Sequence, residues 1–274
     1  MNPLPALLAA TIWAVSPICY KDYLVKNSPI KINFLRLFYA SLFLAVPFLY
    51  FGFNQAIVYG ALSGLLSLAI GDSLYLLSIE TTGASIAAPV SYTYVFLIQF
   101  VATFFGESLR FNYVVGSLLI VIGIYLLSDR KNVKRMKGVI LALLSALFWT
   151  MGQAVIKVAT TAKLNPVSIA FVRVSSAMIA MSIFMLIKKL DNNFAISTKQ
   201  HLLLATISIL DLGLGSTLYV YSIGAVGLTT TIILTSISPL ITQAVSKLLG
   251  KEAPSKRDLV ASLFIVVALI VTVV

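Results

Sequence analysis

Apolar residues run along the chain in long unbroken stretches, separated by short segments where Lys, Arg, Pro and Gly collect. Ten such stretches stand out, at roughly 4–24, 31–51, 56–79, 84–105, 111–128, 138–160, 166–188, 201–223, 228–249 and 257–274. A helix needs about 20 apolar residues to cross the hydrocarbon core of a bilayer. A membrane barrel would alternate apolar and polar positions in segments of about ten residues. Runs such as Leu118–Leu127 and Leu259–Val274 do not alternate. The pattern predicts an all-α integral membrane protein of ten transmembrane helices. The loops between them are too short for a soluble catalytic domain, so any function is expected inside the bundle. Only Met1, Asn2 and Pro3 precede the first stretch, with no basic segment or cleavage site, which predicts a retained helix and not a secretory signal.

Composition agrees with this reading and narrows it. Apolar residues make up 59% of the 274-residue chain and charged residues 11%, against about 25% charged in soluble domains. The same hydrophobicity excludes a disordered chain. One cysteine, Cys19, rules out a disulfide framework and reads as a small buried hydrophobe. One histidine, His201, leaves no Cys/His metal cluster, and no metal or cofactor is expected. The net charge of +11 does not point to nucleic acid, because the basic residues fill the short gaps between apolar stretches.

The chain repeats itself. The most basic loop, Asp129–Lys137 (DRKNVKRMK), separates residues 1–128 from 138–274, five predicted helices on each side. Trp13 and Lys21 are spaced as Trp149 and Lys157 are. Pro29, Phe34 and Arg36 recur as Pro166, Phe171 and Arg173. Gly71, Tyr75, Ser78 and Gly83 recur at one offset as Gly215, Tyr219, Ser222 and Gly227, and Gln99 and Gly106 follow as Gln243 and Gly250. Glu107 matches Glu252 after one inserted residue. Five helices per half is odd, so the second half enters the membrane from the opposite side. Such inverted repeats are the architecture of many transporters, with the site at the repeat interface near the midplane.

Trp…Lys in the first helix of each half, Pro…Arg entering the second, and Gly-Glu after the fourth resemble the EamA-type transporters of the drug/metabolite transporter superfamily. The second half departs slightly, reading Gly-Lys-Glu. The resemblance covers essentially the whole chain. It implies two EamA-like five-helix repeats in a multi-pass protein of the cell membrane. The implied activity is secondary transport, mostly outward, of an amino acid, another metabolite or a drug.

Polar residues inside the spans are the candidate site. Acids at membrane depth cost about 2.5–3.5 kcal/mol on insertion scales and normally face a bundle interior or wet cavity. Asp211, mid-span, and Asp72 qualify, and either is a candidate for coupling transport to protons; the bland reading is a static ion pair with Arg36, Arg173, Lys21 or Lys157. Asp211 shares a helical stripe with Ser208, Gly215, Tyr219 and Ser222, and Gly64, Ser67, Gly71, Tyr75 and Ser78 form the counterpart. These stripes read equally as cavity lining or as close packing, and Gly60 with Gly64 favours packing in the first half. Lys21, Arg36, Lys157 and Arg173 are candidates for holding a substrate anion, although all lie near predicted helix ends, where long side chains snorkel to the headgroups. Trp13, Trp149, Tyr75, Tyr92, Tyr94, Tyr219, Gln153, Thr235, Gln99 and Gln243 are candidate substrate-binding residues. Trp13 and Trp149 sit midway along their spans, where an interfacial aromatic belt has no place.

Loop charge and resemblance disagree on orientation. Numbering the loops one to nine, the odd loops and their edges carry thirteen Lys and Arg and the even loops only Arg110 and Lys163. The positive-inside rule then puts both termini outside, whereas the resemblance implies termini inside. No phosphate-binding or hydrolase motif is present, so an enzyme is not expected. A channel or uncoupled facilitator is the alternative to a coupled carrier. The expected partners are the lipid bilayer and a small-molecule substrate, with a monomer as the default.

Overall fold

A computed structural model describes residues 3–103, 111–127, 132–190, 194–226, 231 and 234–273, all helical or connecting, with no strand among them. The helices are α1 (Leu4–Leu24), α2 (Pro29–Phe51), α3 (Ile57–Thr82), α4 (Ala84–Ser91), α5 (Tyr94–Thr103), α6 (Asn112–Leu127), α7 (Val133–Thr161), α8 (Pro166–Ile187), α9 (Thr198–Val226), α10 (Ser238–Leu248) and α11 (Lys256–Val273). Six of them, α1, α2, α3, α7, α8 and α9, are long and apolar enough to cross a membrane. The other four predicted spans are represented by shorter helices.

Local chemistry explains many boundaries. Ser28 caps α2 and Asn165 caps α8, each directly before a proline whose missing N–H is harmless in the first turn. Ser197 and Gln200 form a capping box at α9. The stretch at 84–105, predicted as one helix, is instead two, α4 and α5, with a turn at Tyr92–Thr93. Pro89 lacks the N–H that would bond the Ser85 carbonyl, and Gln243 Nε2 donates to that carbonyl at 2.7 Å instead. The stretch at 228–249 is likewise interrupted, by a turn at Ser236–Ile237 before α10.

Two features recur in both halves without having been expected. Gly64–Gly71 in α3 and Ile209–Gly215 in α9 are π-helical. Single π turns concentrate at functional sites because they offset the backbone hydrogen-bond ladder. Asp72 directly follows the first segment and Asp211 lies inside the second.

Packing is reciprocal between the halves. α1 lies against α9 and α10, and α7 lies against α3, α4 and α5. α2 packs on α8 and α6 packs on α11. The centre of the molecule is therefore bounded by helices from both halves. The outward faces carry exposed Leu, Ile, Val and Phe, such as Leu49, Leu118 and Leu202, as a lipid-facing surface requires.

Candidate functional site

A cavity of about 90 Å³ lies where the two halves meet. Trp13, Ser16, Pro17 and Tyr20 of α1 line it from the first half, and Trp149 and Gln153 of α7 line it from the second. α3 supplies Ser67, Leu68, Asp72 and Tyr75, and α9 supplies Asp211, Leu212 and Ser216. Arg36, Arg173, Tyr92 and Tyr94 complete it.

The tryptophans are seated by glycines of the opposite half. A Cβ on Gly71 would lie 2.6 Å from Trp149 Cδ1, and one on Gly215 would lie 2.9 Å from Trp13 Nε1. Only glycine lets each indole reach the helix axis there. Trp149 Nε1 donates to Asp72 Oδ1 at 2.9 Å, and Trp13 Nε1 donates to the Asp211 carbonyl at 3.3 Å. Tyr75 and Tyr94 stand edge-on to Trp149, with ring centroids 5.0 and 5.7 Å away.

The acids converge on Arg36, which is 4% exposed. Its guanidinium donates to Asp211 Oδ2 at 2.8 Å and to Asp72 Oδ2 at 3.3 Å. Asn33 Oδ1 accepts a further bond at 3.2 Å. The Tyr20 ring lies 4.2 Å from the guanidinium carbon, a cation–π distance, and its hydroxyl donates to Asp211 Oδ2 at 2.7 Å. Asn33 is itself fixed through the Leu68 carbonyl at 2.9 Å and Ser73 Oγ at 3.0 Å.

Arg173 is a different case. It is 3% exposed, and it donates to Ser67 Oγ at 3.1 Å. Its Nε has no hydrogen-bond partner, like Arg36 Nε and Gln153 Oε1. Arg36 and Arg173 are thus held inside the bundle, and the snorkelling reading fails for both because burial removes them from the rim.

Not every candidate reaches the cavity. Lys21 is engaged by Glu252, 2.7 Å away, and Lys157 is partly buried in α7 outside the cavity lining. Tyr219 backs Trp13 with centroids 4.9 Å apart but is not part of the wall. The Thr235 hydroxyl donates to the Thr231 carbonyl, and the Gln243 amide is taken by Ser85 and Ser262. The side chain of Gln99 lies outside the described residues, as do Gly106, Glu107, Arg110, Gly227 and Asp129–Lys131. The two stripes serve both roles at once. Ser67, Tyr75 and Asp211 line the cavity, Gly71 and Gly215 seat the indoles, and Gly64 and Ser78 pack against α8 and α7. Tyr20 is the important residue that sequence reasoning missed. Its place one further turn along the face of Trp13 and Pro17 was the available signal.

A further polar contact joins the two halves outside the cavity lining. Glu252, between α10 and α11, accepts from the Ala84 and Ser85 N–H groups at 2.8 Å each, and so caps α4. Gly83 makes room for it, with φ +83° and a hypothetical Cβ 2.6 Å from Glu252 Oε1. Lys251 pairs with Asp22 alongside. Burial pushes the Glu252 carboxyl up, but the Lys21 ammonium and the Ser85 and Ala84 donors outweigh it and hold it below the usual glutamate range. The cap therefore contributes stability above an ordinary glutamate's pKa of about 4.3, and loses it as pH falls through the depressed folded value. Thermal midpoints of the detergent-solubilised protein are expected to drop on acidification, and Glu252→Gln to remove part of that drop. An unchanged acid limb in the variant would assign the loss to other carboxylates.

Comparison with known proteins agrees with these observations. The model of the EamA-like transporter family matches residues 3–129 and again 136–274. An uncharacterized transporter from Archaeoglobus fulgidus is 28% identical over 272 residues, covering 96% of this chain and 94% of the relative. A solved crystal structure superposes with a TM-score of 0.70 over 98% of this chain and 94% of its own, at 16% identity, a likeness of fold alone. Transport, and not enzymatic chemistry, is what the family and the relative have in common. The double family match, on a helical bundle with membrane-length apolar helices and a cavity between its halves, identifies the chain as a member of the EamA-like transporter family and a multi-pass protein of the cell membrane.

Proposed function

We propose that the protein is a secondary transporter that moves a small metabolite, such as an amino acid or a related amphipathic solute, outward by alternating access. Residues 1–128 and 138–274 act as two inverted five-helix repeats, joined by the basic loop at 129–137, and rock about the central cavity. The observation that carries this reading is the cavity itself, enclosed by both halves and lined by two buried arginines, two buried acids and a set of aromatic rings. The reciprocal packing of α1 on α9 and α7 on α3 supports it, since a pseudo-two-fold exchange of the halves would interconvert those contacts. The Lys21–Glu252 contact joins α1 to the segment between α10 and α11 and must break if the two move apart.

Asp211 and Asp72 are the proposed coupling groups. Both are buried, and both share Arg36. A proton taken up by either carboxylate weakens its hold on Arg36, which ties protonation to the fit of α2 against α3 and α9. The test is flux in proteoliposomes loaded with a metabolite and amino-acid pool, with and without a pH gradient. Saturable movement of one compound class, accelerated by the gradient, is expected. Asp211→Asn is expected to retain binding and to lose the response to the gradient. Full gradient response in that variant would remove Asp211 from the coupling role, and absence of flux for every compound would count against transport of these solutes.

A further inference from the structure

We infer that the cavity takes a solute bearing one carboxylate, and that Arg173, not Arg36, receives it. This inference rests on the transport reading above and gives its substrate a chemical class.

The two buried arginines differ in their counter-charges. Arg36 has two carboxylates, Asn33 and the Tyr20 ring around it, although its Nε, too, lacks a hydrogen-bond partner. Arg173 has Ser67 Oγ as its hydrogen-bond partner, an unpartnered Nε, and no ion pair with a carboxylate among the described residues. A buried charge left without a counter-charge is costly. A guanidinium in that state on a cavity wall is a preorganised receptor, because its planar fork matches a carboxylate bidentately.

A second orphan atom belongs to the same cavity lining. Gln153 Oε1 is buried without a partner, and Gln153 follows Gly152, whose hypothetical Cβ would touch Ser67 at 2.6 Å. Ser67 is the residue that Arg173 binds. An unpartnered donor and an unpartnered acceptor therefore both belong to residues of the cavity lining. A carboxylate would satisfy the first, and an N–H or O–H on the same solute would satisfy the second. Trp149 and Tyr94 offer apolar ring surface to the remainder of the solute.

Charge makes the choice of sign. Asp72 and Asp211 are both in ion-pair contact with Arg36, and Asp72 acts on Arg173 only at longer range, which leaves Arg173 as the lining arginine with no carboxylate in contact among the described residues. An amine would be placed beside that cation and repelled. The cavity volume of about 90 Å³ is also below the roughly 150 Å³ that admits a benzene ring. At this volume the cavity fits a compact acid, and a larger one requires the halves to part.

The test uses the full chain in lipid nanodiscs with two charge-matched series. One is propionate, propionamide and propylamine; the other is phenylacetate, phenylacetamide and phenethylamine. Binding is read by calorimetry and by the shift in unfolding midpoint at constant ionic strength. At least one carboxylate is expected to bind, and its amide and amine are not. Arg173→Lys is expected to weaken that binding about tenfold, since a point charge replaces the fork, and Arg173→Met to abolish it. The unfolding midpoint of unliganded Arg173→Met is expected at or above that of the parent, because a stranded charge is removed, so the variant remains measurable. Equal or better binding of an amide or amine overturns the inference. So does unchanged carboxylate affinity in Arg173→Lys and Arg173→Met, or the absence of binding by both carboxylates. Flux of the same six compounds separates this from the transport reading. Flux of an amine or amide alone leaves transport intact and removes the carboxylate class. Carboxylate binding without flux of any compound leaves Arg173 as the receptor and removes transport.

Discussion

Arg36→Met is expected to lower the unfolding free energy by about 3–5 kcal/mol, the range seen when one partner of a buried ion pair is removed. The loss is large because the substitution strands two carboxylates at once, Asp72 and Asp211, each within 3.3 Å of the guanidinium. Tyr20 and Trp149 still donate to Asp211 and Asp72, but neutral donors do not replace a counter-charge. The stranding can be separated from lost packing. The triple variant Arg36→Met with Asp72→Asn and Asp211→Asn carries no unpaired charge at this place and is expected to recover most of the loss. Reversible unfolding in mixed micelles measures all three species. A single variant as stable as the parent, or a triple variant no better than the single, would show that the cluster is not held by Arg36.

Gly64→Ala is expected to destabilise by about 1–3 kcal/mol, the usual range for overpacking, and to impair transport as well. A Cβ at Gly64 would sit 2.1 Å from the Arg173 carbonyl oxygen and 2.5 Å from Ser176 Oγ. The first of these is backbone and cannot rotate aside, so α8 must move outward and carry Arg173 with it. Gly60, one turn earlier on the same face, is the internal control. Its Cβ would meet Val172 Cγ1 at 3.4 Å, an ordinary contact, and Gly60→Ala is expected to be nearly neutral. Unfolding midpoints of the two variants make the comparison. Equal tolerance at both sites would contradict the close α3–α8 approach.

These two glycines illustrate what the sequence could and could not disclose. Their spacing announced a packing face, but spacing alone does not rank them; the 1.3 Å difference in clearance comes from how α8 crosses α3. Helix placement was legible because membrane spans are long and apolar, and α1 ends where its hydrophobic stretch does. The breaks in 84–105 and 228–249 were less legible. Pro89 and Pro239 lie within them, but the donor that satisfies a freed carbonyl, such as Gln243 for Ser85, is set by tertiary packing. The acids, the tryptophans, Tyr75, Tyr92, Tyr94 and Gln153 converge as the candidate list grouped them. The pairing did not follow from that list. Four basic residues looked equivalent by repeat symmetry, yet Arg36 holds two carboxylates, Arg173 has Ser67 in their place and Lys21 is drawn off by Glu252. Symmetry in sequence is only approximate where Ser67 stands opposite Asp211 and Ser216 opposite Asp72, and those mismatches place both acids on one arginine. The π segments left no composition signal at all, since they depend on backbone register within α3 and α9.

The two carboxylates on Arg36 also differ in when they arrive. Asp72 follows Arg36 by 36 residues in the chain, and Asp211 follows it by 175. At synthesis rates of about 5–20 residues per second, the roughly 140 residues between the two acids take about 7–28 s to emerge. During that interval Asp72, on the next helix, is the counter-ion within reach as Arg36 enters the lipid. Asp211 then joins a pair already assembled and completes it from the opposite half. One acid thus serves the nascent chain as an escort for an awkward charge, and the other marks the moment at which the two halves have met.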